Sequence, residues 1–270
     1  MTPSSTPPVI TLTTDFGLAD HYVGTMKGVI LSRCPDARLV DISHELPPFS
    51  IVAGAYTIDQ AAPYFAPGTV HLVVVDPGVG SARKPLLVEA LGQYFVAPDN
   101  GVLSLIAARD RNARAYEISN RELWLPSPSS TFHGRDIFAP VAAAIASGAA
   151  TGLHIGKLAA EMELLPDLTA VQMGPECWRG MVLSVDRFGN IITNLRASDC
   201  RRISSSAFHL DLPNGQVAAF RQTFAEAAEG LVFAYFGSSG YVEIGMNQES
   251  AAAQLGAAAG DRLTLRVTID

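Results

Sequence analysis

The sequence predicts an α/β fold: an N-terminal, mostly parallel sheet flanked by helices, followed by a C-terminal antiparallel β domain that is barrel-like. Three observations predict it. Strand-like and helix-like runs alternate from Val9 to Gly148, and such alternation builds a largely parallel sheet with helices on both faces. The run "TVHLVVV" is continuously apolar and β-branched, as in a strand buried on both sides. From Trp178 onward short β-like runs dominate instead, which suits an antiparallel domain.

The elements follow in order. "PVITLTT" is the first strand, and Tyr22 to Arg33 the first helix. "ARLVDIS" is the second strand. "SIVAGAYTIDQAAPYF" carries Val52, Ala55 and Tyr56 at helical spacing. "TVHLVVV" is a central strand, and "PLLVEAL" with "QYFVAP" reads as a hairpin. "GVLSLIAA" is helical, "ARAYEIS" a strand, and "DIFAPVAAAIASG" a helix stopped by Gly148. These make an N-terminal domain over residues 1–160. Residues 161–177 contain two prolines and little periodicity and read as a linker. The β domain spans 178–270, with strands in "RGMVLSVD", "NIITNL", "AFHLDL", "VAAF", "LVFAYF", "YVEIGM" and "RLTLRVTI". "LPNGQ" carries an Asn-Gly hairpin signal. "AEAAEG" and "QESAAAQLG" are short helices.

Composition limits the function. The chain has 270 residues, 48% of them apolar and 17% charged, so a substantial core is expected. A formal charge of -7 argues against nucleic acid as a partner, because a phosphate backbone calls for a basic face. Cys34, Cys177 and Cys200 form no metal-binding spacing and fit a reducing compartment. "MTPSSTPP" has neither the basic stretch nor the apolar run of a signal peptide and reads as a frayed tail. No stretch has the length and apolarity of a membrane span. The expectation is a soluble, cytoplasmic protein with no membrane partner.

Polar residues collect at strand ends. Asp15 follows the first strand, Asp41 and His44 lie in and after the second, Asp76 follows the third, and Asp99 and Asn100 follow "YFVAP". Ligands of open α/β sheets bind at the carboxyl ends of strands, although Asp and Asn also serve plain turns and caps. "VDRFGNIITN" adds Asp186, Asn190 and Asn194, with Gly189 supplying a turn conformation. "DPGVGSAR" places Arg83 seven residues after Asp76, without the lysine of a phosphate loop or the spacing of a dinucleotide fingerprint. "TFHGRDIFAP" places His133 before a helix, with Asp136 at the helix start in a structural role. Carboxylate, guanidinium and imidazole together can handle water. Acids at a sheet edge suit a hydroxyl-rich or cationic ligand and repel a bare phosphate. A ligand-binding protein without catalysis remains open, as does a metal-dependent hydrolase using Asp15, Asp76, His133 and Asp136.

In order, "TTDFGLADHYVGTMKG", "VVDPGVGSAR", "PDNGVLS", "FHGRDIFAPVAA", "DRFGNIITN" and "GSSGYVEIGMNQESAAAQLG" resemble the S-adenosyl-L-methionine hydroxide adenosyltransferases, relatives of fluorinating and chlorinating enzymes. The resemblance covers nearly the whole chain. It implies attack of water or hydroxide on the ribose C5′ of S-adenosyl-L-methionine, giving adenosine and L-methionine, with no cofactor and no metal. It implies a water-handling trio of Asp76, Arg83 and His133, with the accepting base open between His133 and the Asp76–Arg83 pair. It implies Asp15 on the ribose hydroxyls and Asp20 and Asp186 near the methionine part. Asn190 then contacts adenine, Phe224 stacks on it, and Ser238 and Ser239 hold the methionine carboxylate. It also implies a homotrimer whose sites lie between the N-terminal domain of one subunit and the C-terminal domain of its neighbour.

The halogenating relatives have tyrosine at the position of Asp76 and serine at that of Gly134, and they carry an extra loop after the "DPGVG" region. This chain has none of the three, which favours water over halide. Ser239 stands where some relatives have an arginine. Trp124 and Trp178 are open to either interface or core roles.

Overall fold

The computed structural model describes residues 6–268. The expected frayed tail falls largely outside the described residues. The chain divides into two units, one ending at Leu165 and the other beginning at Pro166.

The first unit contains β1 (Val9–Thr14), α1 (Tyr22–Arg33), β2 (Arg38–Ser43), α2 (Ile51–Ala61), β3 (Val70–Val74), β4 (Pro85–Ala90), β5 (Gln93–Pro98), α3 (Ser104–Arg109), β6 (Arg114–Glu117), α4 (Ala139–Ala146) and α5 (Gly152–Ile155). The sheet order is β2-β1-β3-β5-β4-β6. The pairs β1–β2, β1–β3 and β3–β5 are parallel, whereas β4 runs antiparallel to β5 and β6. Every residue of β3 is buried, as its unbroken apolar run requires of a central strand. One face is covered by α1 and α4. Met26 and Ile30 of α1 lie four residues apart and meet Ile10, Leu12, Val141 and Ala142 in one cluster. Alanines along α4 let the two helices approach closely. On the other face Ile58 of α2 and Ile106 of α3 pack with Val73, Leu86 and Phe95. Burying each large side chain contributes about 1.5–3 kcal/mol.

Two local features differ from a plain pattern reading. The helix expected from Asp136 opens with a π turn at Gly134–Phe138. Pro140 has no N–H for the carbonyl of Asp136, and Leu125 N donates to that carbonyl at 2.8 Å instead. The central strand also carries a buried histidine. His71 Nδ1 lies 2.7 Å from Thr11 Oγ1, Nε2 lies 3.3 Å from Gln93 Oε1, and the ring stacks on Phe95.

The second unit contains β7 (Val171–Gly174), β8 (Cys177–Val185), β9 (Ile191–Arg196), β10 (Phe208–Leu212), β11 (Gly215–Val217), β12 (Val232–Phe236), β13 (Tyr241–Met246), α6 (Ala251–Leu255) and β14 (Arg262–Val267). The path β11-β10-β14-β8-β9-β13-β12 is antiparallel throughout, and β7 also pairs with β8. The first half of β8 pairs with β14 and its second half with β9, with a register shift between Val182 and Ser184. The strand thus turns a corner. After β11, the Ala219 carbonyl and Arg221 N–H bond to Ala234 of β12, which brings the ends of the path together in a nearly closed barrel.

Three sequence expectations change here. The stretch 161–177 contains β7, a strand of the barrel. "VAAF" is not a strand of its own: Val217 closes β11, and beyond it only the bridge of Phe220 to Ala234 forms. The hairpin in "LPNGQ" turns at Pro213 and Asn214, because Gly215 already pairs with Leu212. Trp178 is buried in the second unit's core and Trp124 packs half-buried on the first unit's. Among the described residues no helix is long and apolar enough to cross a membrane.

Candidate active site

In the first unit the loops after β1 and β2 are tied together. Gly17 N donates to the His44 carbonyl at 2.7 Å, with Gly17 at φ 66°. Phe49 N donates to Asp15 Oδ2 at 2.7 Å. Phe49 adopts φ 67°, a left-handed conformation unfavourable for a bulky residue. Behind this loop, His44 is buried, with Nδ1 2.8 Å from Thr14 Oγ1. Its Nε2 lies 3.1 Å from Asp41 Oδ1 but is poorly aligned for a hydrogen bond. Lys27 Nζ donates to Asp41 Oδ2 at 2.6 Å. Asp15 is therefore held by one carboxylate oxygen. Asp20 is exposed in the bend before α1.

Asp76 follows the buried end of β3. The turn after it is closed by Val79 N to the Asp76 carbonyl at 3.2 Å and Ser81 N to the Gly78 carbonyl at 3.1 Å, with Gly80 at φ 78°. The turn returns Arg83 onto Asp76. Arg83 Nε donates to Asp76 Oδ1 at 3.0 Å, and Nη2 donates to Oδ2. Both side chains are almost wholly buried. Arg83 Nη2 also lies 2.8 Å from His133 Nδ1, and the guanidinium sits over the Phe138 ring. Arginine only donates, so His133 Nδ1 accepts and the neutral ring carries its proton on Nε2. Burial, and then the Arg83 charge, push the His133 pKa below the ordinary imidazole value.

The other tip residues are structural. Asn100 Nδ2 donates to the Val75 carbonyl at 2.9 Å, and Asp99 Oδ1 accepts from Glu163 N at 2.8 Å. Asp136 accepts from Arg135 at 2.6 and 2.9 Å and from Ser129 N at 2.8 Å. Burial alone would raise its pKa, but the bonds from Arg135 and Ser129 bring it below the usual carboxylate value. Asp76 and Asp136 thus each have both oxygens on an arginine. Among the described residues no three His, Cys, Asp or Glu side chains group as a metal site. A Cβ at Gly134 would meet Met26 Sδ at 3.1 Å, so the close packing there suits glycine.

The second unit carries a pocket of ≈ 760 Å³ lined by Phe188, Asn190, Phe224, Tyr235, Ser238 and Glu243, among others. Asp186 builds its rim. Oδ1 accepts from Phe188 N at 2.9 Å and Asn190 N at 2.8 Å, and Oδ2 accepts from Asn190 Nδ2 at 2.8 Å. Gly189, at φ 84°, completes the turn. Asn194, expected in this cluster, lies instead in β9, where its Oδ1 accepts from Met181 N and its Nδ2 donates to the Asp167 carbonyl. Phe224 stands over Gly245, where a Cβ would meet the ring at 2.9 Å and Asn190 Oδ1 at 3.0 Å. Its edge contacts with Phe233 and Tyr235 are both 5.2 Å between ring centroids. Ser238 is exposed, whereas Ser239 donates its hydroxyl to Glu243 Oε1 at 2.9 Å. Tyr235 donates to Glu243 Oε2 at 2.7 Å.

Sequence reasoning passed over Glu243 and Tyr235. The signal was present: an acid alternating with apolar residues in "YVEIGM" sits on the same strand face as Gly245. A larger cavity of ≈ 970 Å³ lies at the amino ends of β1 and β3 and contains none of these residues.

Residues 10–154 match the SAM hydroxide adenosyltransferase N-terminal domain, and residues 180–264 match the C-terminal domain of the same name. The chain belongs to this family. It is 40% identical to the (R)-S-adenosyl-L-methionine hydrolase of Salinispora tropica, over 97% of this chain and 98% of that protein. With the protein of the same name from Thermus thermophilus it shares 39%, over 90% and 93%. A fluorinase from Nocardia brasiliensis is 28% identical over 96% of this chain and 97% of its own length. The crystal structure of an uncharacterized conserved protein from Thermotoga maritima aligns with TM-score 0.84 and 36% identity, covering 95% of this chain and 99% of that one. Within the SAM hydroxide adenosyltransferase family this chain thus has hydrolases among its nearer relatives and fluorinases among its more distant ones.

Proposed function

We propose that this protein hydrolyses S-adenosyl-L-methionine to adenosine and L-methionine. The relatives named for that hydrolysis support the reading, and the observation that carries it is the buried contact of Asp76, Arg83 and His133 at a strand tip. Water attacks the ribose C5′ as the C5′–S bond breaks. The bonding pair leaves on sulfur, which becomes the neutral thioether of methionine, and the water oxygen becomes the 5′-hydroxyl of adenosine. The water proton passes to the Asp76 carboxylate and then to solvent. His133, with Nδ1 facing Arg83, contributes Nε2–H as a donor that holds the water oxygen. A sulfonium leaves without protonation, so the step calls for neither metal nor cofactor. Aligning the water with the C5′–S bond is worth about 7–11 kcal/mol.

In this reading Asp15 keeps one oxygen for the ribose hydroxyls, and the pocket beside Phe224 and Asn190 takes adenine. Asp20 and Ser238, both exposed, remain candidates for the methionine end. Exposed Leu18, Phe49 and Phe188 fit cover by further copies, and we extend the proposal to a cytoplasmic homotrimer with sites between neighbouring subunits. Sedimentation analysis tests the assembly. The activity test incubates pure protein with each sulfur epimer of the substrate and separates products by chromatography. Stoichiometric adenosine and methionine are expected. Tight binding with no product on long incubation would make the protein a binder rather than an enzyme.

A further inference from the structure

We infer that Glu243 receives the α-ammonium of the substrate and so determines which adenosyl sulfonium compounds the pocket accepts. This rests on the hydrolase reading above. Glu243 lies directly across from Tyr235 in the β12–β13 pair, is only 8% exposed, and lines the aromatic pocket. Its two bonds come from neutral hydroxyls, those of Tyr235 and Ser239. Among the described residues no lysine, arginine or histidine forms an ion pair with it. A carboxylate has about four acceptor positions, and two remain. An anion buried with neutral partners alone is unfavourable until a cation arrives. Gly237 has no side chain to cover it, because a Cβ there would run into the Glu243 carboxylate.

Among the second unit's own residues, the other polar groups near the pocket are less suited, and Asp20 of the first unit is exposed to water. Asp186 already accepts three bonds from its own turn, two on Oδ1 and one on Oδ2, where Glu243 accepts two. Ser239 gives its hydrogen to Glu243 and cannot donate it at the same time to a substrate carboxylate. A carboxylate placed there would also be repelled. The amino group is therefore the end that fits, as a charged N–H donor to a carboxylate.

Calorimetry in the Asp76→Asn background, where turnover is removed, compares S-adenosyl-L-methionine with 5′-dimethylsulfonio-5′-deoxyadenosine. The second compound keeps the nucleoside and sulfonium but lacks the amino acid. Adding Glu243→Gln is expected to raise the Kd of S-adenosyl-L-methionine about tenfold or more and leave that of the analogue within about twofold. Glu243→Asp, which retains the charge, is expected to lose less. Equal weakening of both ligands, or of neither, would overturn the assignment. An unfolded Glu243→Gln variant, detected by its melting curve, leaves the comparison to Glu243→Asp, where equal effects on the two ligands again overturn it. Hydrolysis by the wild-type protein is assayed separately, so its absence would count against the enzyme reading without deciding the role of Glu243.

Discussion

Arg83 Nη2 lies 2.8 Å from His133 Nδ1, and this contact makes the imidazole an acceptor on that side. The ring then presents Nε2–H on the other. A glutamine amide can reproduce a donor at the Nε2 position, whereas an asparagine amide reaches only as far as Nδ1. His133→Gln is therefore expected to retain about tenfold more kcat than His133→Asn. Equal loss in steady-state assays of the two variants would contradict donation through Nε2.

Removing the trio should affect chemistry more than affinity. Asp76→Ala and His133→Ala are each expected to lower kcat about a hundredfold or more, with the Kd for adenosine changed by less than about threefold. Calorimetry beside initial rates checks this. Parallel loss of binding and rate would mean that these residues hold the ligand.

The pH profile follows from the Arg83 charge. His133 must stay neutral to accept from Arg83, and burial with that charge sets its pKa below the ordinary imidazole value. Protonation of His133 is expected to lower activity as pH drops through that lowered value. Arg83→Gln removes the charge, raises the His133 pKa and moves the acid limb to higher pH. A limb that stays in place, measured as kcat against pH, would exclude His133 as its source.

His71 makes stability depend on pH. Burial pushes its pKa down to about 4, whereas the unfolded imidazole titrates near 6.5. Above the unfolded value both states are neutral and the contribution is fully present. As pH falls toward 4 the unfolded state binds a proton that the native state refuses, and stability drops by up to about 3 kcal/mol. Denaturant melts of wild type and His71→Gln should diverge over this window. Curves with the same pH dependence would contradict the prediction.

The glycine under Phe224 is expected to control the pocket. Gly245→Ala brings a Cβ to 2.9 Å from the Phe224 ring and 3.0 Å from Asn190 Oδ1. Overpacking of this kind costs about 1–3 kcal/mol. Adenosine affinity, read by calorimetry, should fall about tenfold or more. Unchanged affinity would place the nucleoside elsewhere.

Much of the architecture was legible locally. The unbroken run of β3 called for a central strand, Tyr22 to Arg33 for a helix, and Gly189 for a turn conformation. The failures share a cause. Asn194 resembles Asn190 in sequence but its amide bonds the backbone of β8 and the Asp167 carbonyl, partners that no local window contains. The strand β7 escaped notice because its residues are largely exposed and carry no alternation. Glu243 was passed over because the cross-strand pairing that puts Tyr235 beside it joins separate strands.

The sequence by itself determined the two-part chain, the order of its strands and helices, and the residue types gathered at the strand ends, because periodicity and turn chemistry act over a few neighbouring residues. Only the tertiary structure decided that Arg83 bridges Asp76 and His133, that Asp186 is committed to its own turn, and that Glu243 is buried among hydroxyls. Those outcomes depend on which distant groups meet, and on the hydrogen-bonding capacity that remains to each of them once water has been excluded.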